Sequence, residues 1–62
     1  MDFLAAAELW ISDNYPELTD DFTQKYQEFR QRYGVNSSVI LAMSQLGTYD
    51  EFLPFYDRCQ RG

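Results

Sequence analysis

The sequence predicts an all-α domain, a compact bundle of about four short helices. Three observations carry that expectation. Apolar residues recur at helical spacing through most of the chain. Pro16, Gly34, Gly47 and the run Thr48-Tyr49-Asp50-Glu51 punctuate it where helices would stop or start. No segment alternates apolar and polar residues for long enough to read as a strand.

The first helix is placed at about 2–13. At about 100° per residue, Phe3, Leu4, Ala6, Ala7, Trp10 and Ile11 gather on one arc. Leu9 falls outside it. Three successive alanines favour helix. Pro16 pushes Tyr15 out of the helical region and so stops the segment.

The second helix is placed at about 19–33. Leu18, Phe22, Tyr26, Phe29 and Tyr33 are spaced 4, 4, 3 and 4 residues apart, one narrow stripe expected to face the core. Thr19 is expected to cap it, with Asp20 and Asp21 complementing the positive helix end. Asp21–Lys25 and Glu28–Arg32 are set for i,i+4 pairing. Gly34 suits the residue just past its end.

The third helix, about 37–46, is expected to take Asn36 as its cap, with Val35 and Ile40 stapling the first turn. Val39, Ile40, Ala42, Met43 and Leu46 share a face, Leu41 points away, and Gly47 closes the segment. The fourth, about 49–60, opens on a capping box from Thr48 to Glu51 and is expected to kink or break at Pro54. Phe52, Phe55, Tyr56 and Cys59 should face inward, with Cys59 a buried structural thiol.

Length and composition bound the function. Sixty-two residues, 45% hydrophobic, make one small domain, 1–62. Without His, and with Cys59 alone, the chain can build neither a His–Cys metal cluster, nor a triad needing imidazole, nor an internal disulfide. Asp20 and Asp21 are adjacent on a helix and diverge, so they do not converge on a substrate as a catalytic pair would. The expectation is a protein that is not an enzyme and has no cofactor and no metal. The N-terminus Met1-Asp2-Phe3-Leu4 has no basic region of a secretory signal, and no apolar run is long enough for a membrane span. The expected setting is the cytosol, with the chain a complete small product.

The net charge of −5 is unevenly spread. Residues 1–21 hold Asp2, Glu8, Asp13, Glu17, Asp20 and Asp21 and no base, for −6. Residues 22–34 hold Lys25, Arg30 and Arg32 against Glu28, for +2. Residues 35–49 hold no charge, and residues 50–62 hold Asp50, Glu51 and Asp57 against Arg58 and Arg61, for −1. Six acids without an interspersed base suggest a negative face that steers a positively charged partner. The expected binding residues are therefore Asp2, Glu8, Asp13, Glu17, Asp20 and Asp21, with Tyr15 as an aromatic anchor among them. The expected partner is a larger protein with a basic surface. Where that surface normally holds DNA or RNA, the carboxylates would stand in for phosphates and the chain would be an inhibitor. Neither direct nucleic-acid binding nor membrane binding is expected.

In size and charge the chain resembles small acidic phage and mobile-element products, among them anti-CRISPR and anti-restriction proteins. That resemblance implies an inhibitory role in a host cytosol. An alternative is a helical adaptor or homodimer using Leu9, Leu41, Tyr49 and other exposed apolar groups. A third comes from residues 29–43, which resemble a degenerate helix-turn-helix with Gly34 at the turn. Arg30 stands where that motif packs a small residue, and the would-be reading helix has no Lys or Arg for phosphates.

Overall fold

The computed structural model describes residues 2–61; Met1 and Gly62, the ends of the 1–62 domain expectation, lie outside the described residues. Four α-helices follow in order, α1 (Phe3–Asn14), α2 (Thr19–Arg30), α3 (Val35–Leu46) and α4 (Tyr49–Arg61), with a 3₁₀ turn (Pro16–Leu18) between the first two. The all-α bundle expected from the sequence is the fold found.

Asp2 is the cap of α1, not its first helical residue: its backbone is extended and its Oδ1 accepts the Ala5 N–H at 2.8 Å. Ala6, Ala7, Trp10 and Ile11 form the buried face. Two fully buried alanines give neighbouring helices a close approach that larger side chains would block. The helix ends at Asn14, and Tyr15, the residue before Pro16, has left the helical region at φ −138°, ψ 62°.

The entry to α2 differs from expectation. Pro16 starts a helical turn of its own, and Leu18 stays in the helical region at φ −97°, ψ 0°. Thr19 is therefore already helical and is not the N-cap of α2; its N–H closes the 3₁₀ turn by donating to the Pro16 carbonyl. Asp20 and Asp21 do occupy the first turn.

The exit differs too. The helix stops at Arg30 rather than near residue 33. The Arg32 and Tyr33 N–H groups both donate to the Phe29 carbonyl, and the Arg30 guanidinium reaches the Tyr33 carbonyl at 3.0 Å. Gly34 is not the left-handed terminator of α2. At φ −71°, ψ 174° it is the extended N-cap of α3, so that helix begins at Val35 and not after Asn36. Its carbonyl accepts both the Ser38 N–H and the Ser38 hydroxyl. With Val35 inside the helix and exposed, the expected staple is not built. Tyr33, carried past the helix end, is 47% exposed. Of the α2 stripe only Phe22 is fully buried; Leu18, Tyr26 and Phe29 are half-buried.

Gly47 ends α3 as expected, at φ 73°. Its N–H donates to Ser44 and the Thr48 N–H to Met43, the paired closure of a Schellman motif. The buried Thr48 hydroxyl also donates to the Met43 carbonyl, at 3.3 Å. Both side chains of the expected capping box are thus engaged elsewhere, since Glu51 accepts from Tyr15. Through Pro54 α4 runs unbroken to Arg61. Pro54 and Asp50 are both exposed, so the carbonyl that lacks its helical donor is open to water.

Helix α3 packs on each of the others, α2 lies mainly on α3, and α4 lies across α1 and α3. Fully buried Phe52 is the hub between α1 and α4, with ring centroids 5.6 Å from Phe3, 5.8 Å from Trp10 and 5.8 Å from Tyr56. Val39, Ala42 and Met43 close the core from α3. Cys59 is half-buried rather than enclosed. Leu41 is also half-buried, against the expectation that it points to water, whereas Leu9 is 42% exposed.

Candidate acidic interface

Tyr15 sits at the corner where α1 gives way to the 3₁₀ turn. Its ring lies 5.6 Å from that of Trp10, and its hydroxyl donates to Glu51 Oε2 at 2.6 Å. The Tyr15 phenol is raised above its usual value, chiefly because the hydroxyl donates to Glu51, then by desolvation and by the negative charges of Glu51 and Glu17. Tyr15 is thus half-buried and engaged within the fold. Its hydroxyl holds a carboxylate of α4 at the α1–α2 corner.

Glu51 is the residue that sequence reasoning missed. It lies 36 positions from Tyr15, and its local context offered a capping role that accounted for it fully. In the segment charges it was offset by Arg58 and Arg61, neither of which is its partner in the fold. No local signal connects it to Tyr15.

The six acids divide. Asp2 is committed as the α1 cap. Glu8 and Asp13 are exposed on α1 but about 140° apart around its axis. Asp2 lies about 16 Å from Asp13 along the helix. Glu17, on the 3₁₀ turn, is near enough for its charge to act on Tyr15. Asp20 and Asp21 follow in the first turn of α2. The corner therefore groups Asp13, Glu17, Asp20 and Asp21 by chain position and adds Glu51 through Tyr15. Asp2 and Glu8 stand apart from it, so a single face holding all six is not what the helix geometry builds.

The carboxylates of Glu8, Asp13, Glu17, Asp20 and Asp21 have no hydrogen bond or ion pair to another described residue. The expected pairs Asp21–Lys25 and Glu28–Arg32 do not close. An ion pair does join Arg61 and Asp57, at 3.4 Å on the exposed side of α4. Among the described residues no group of three or more His, Cys, Asp or Glu is placed to hold a metal ion, and no helix is long and apolar enough to cross a membrane.

Comparison with known proteins finds no matching family model, no matching curated protein and no matching solved structure.

Proposed function

We propose that the chain is a non-catalytic binding protein that docks its acidic α1–α2 corner on a basic surface of a larger protein. The observation that supports this is the set of exposed, unpartnered carboxylates at one corner, with Glu51 held beside them by Tyr15. A single exposed ion pair contributes about 0–1 kcal/mol, so affinity has to come from several acids acting together. Where the basic surface is a nucleic-acid site, the carboxylates take the place of phosphates and the chain is a competitive inhibitor of the anti-CRISPR or anti-restriction kind.

The test uses the immobilised chain and lysate of its source cells at low and physiological salt. The comparison is a variant carrying Glu17→Gln, Asp20→Asn and Asp21→Asn. A genuine partner is retained by the native chain, lost by the variant, and weakened as salt rises. Binding indifferent to both changes sinks acidic docking and favours an apolar adaptor. Leu9 and Leu53, 42% and 40% exposed, are apolar residues open to such an adaptor contact.

A further inference from the structure

Away from the acidic corner, the end of α2 and the adjoining turn open a groove of about 420 Å³ toward α3. Lys25, Glu28, Phe29, Arg32 and Tyr33 line one side and Gln45 of α3 the other. The Phe29 and Tyr33 rings, 6.3 Å apart, make it partly aromatic, and Val35 beside Tyr33 is also exposed. Lys25 from α2 and Arg32 from the turn after it both line the groove. Neither pairs with a carboxylate among the described residues.

We propose that this groove receives the acidic α1–α2 corner of a second copy of the chain. Charge complementarity points to that occupant. The corner offers Asp13, Glu17, Asp20 and Asp21 with no base between them, and the groove lining carries Lys25 and Arg32 against Glu28, for +1. One molecule cannot satisfy both halves itself. Asp20 and Asp21 lie in the first turn of α2 and Arg32 beyond its far end, the 12-residue helix being about 18 Å long. The nearer Asp21–Lys25 pair stays open. Two different patches meet, so the contact is head-to-tail, and each copy keeps one unused half that can extend the assembly. The groove is small and Glu28 tempers its charge, so the contact is weak and transient.

The net charge of −5 gives this association a distinctive dependence on salt. At ~0.01 M the screening length of roughly 30 Å matches the 32 × 24 × 16 Å molecule, and copies repel as whole charges. At ~0.15 M, with a length of about 8 Å, that repulsion is screened while contact pairs survive. At ~1 M the length is about 3 Å and the contact pairs weaken as well. Association should therefore pass through a maximum.

Sedimentation velocity on the full chain at these three salt concentrations tests this. Asp20→Asn with Asp21→Asn, or Lys25→Gln with Arg32→Gln, should each weaken self-association about tenfold, with helicity checked by circular dichroism. An equimolar mixture of the two variants retains one intact corner and one intact groove. It should give a one-to-one dimer at native affinity and nothing longer. A chain that is monomeric at every salt overturns self-docking, as does association that rises steadily with salt or persists in both variants. A monomeric result leaves docking on an external basic partner standing, because that partner is detected separately by capture.

Discussion

Tyr15 shows how much one side chain can organise in a domain this small. Its ring is part of the aromatic packing around Trp10, and its hydroxyl ties the first third of the chain to α4. The sign of its titration follows from the contact. The folded chain holds the phenolic proton more tightly than the unfolded chain, whose reference value is 10.0. The contribution of this bond is therefore whole below that pH and is lost as pH climbs through the raised folded value. Above it, a phenolate would face Glu51 and Glu17, and attraction becomes repulsion. Tyr15→Phe should melt below the native chain at about pH 8, and the gap should narrow as the phenol of the native chain ionises. Thermal melts of the two proteins across that range measure it. A gap that stays constant into the alkaline range would show that the bond to Glu51 is not its source.

At the scale of elements, the two ordered inter-helix glycines have opposite roles that their sequence contexts did not distinguish. Gly47 is left-handed at φ 73°, a backbone that side chains resist whatever space surrounds them. Gly34 is an extended cap at φ −71°, and a Cβ there would meet nothing within 4 Å. The same substitution should thus have opposite effects. Gly34→Ser adds a capping hydroxyl and restricts the unfolded chain, for a gain of about 0.5 kcal/mol. Gly47→Ser strains the α3 terminus, for a loss of about 1 kcal/mol. Urea denaturation reads both. In α4, Pro54→Ala gives the Asp50 carbonyl a donor and replaces the poorest helix former with the best, which should stabilise by roughly 1–3 kcal/mol. A loss instead would mean that the proline ring packs usefully where it is exposed. These cases also show why some of the fold was legible in sequence and some was not. The stop at Pro16 and the close at Gly47 depend on the conformational limits of single residues, and both were readable. The end of α2 was not, because the Leu18-to-Tyr33 stripe continues at helical spacing past Arg30. The chain leaves the helix there because Gly34 is used to begin α3, and periodicity carries no information about which helix a glycine serves.

At the scale of the whole molecule, the segment charges were legible but their placement was not. Counting along the chain grouped six acids by their nearness in sequence. By chain position four of them fall around the α1–α2 corner, Asp2 and Glu8 fall at the start and middle of α1, and the bond to Tyr15 brings in Glu51 from α4. Tertiary structure alone could make that exchange, since Tyr15 and Glu51 are 36 residues apart. The division permits a test that separates a located interface from a diffuse negative charge. Asp2→Asn with Glu8→Gln removes two negative charges outside the corner, and Asn at the α1 cap preserves the bond to Ala5. Asp20→Asn with Asp21→Asn removes the same two charges at the corner. Long-range steering responds to net charge, so both double variants should slow association with a basic partner to a similar degree. Contact pairs act over a few ångströms, so only the corner variant should speed dissociation. Surface-resonance kinetics on a captured partner resolve the two rates. Equal dissociation rates in the two variants would mean that the corner is not where the partner sits, whatever the net charge does for encounter.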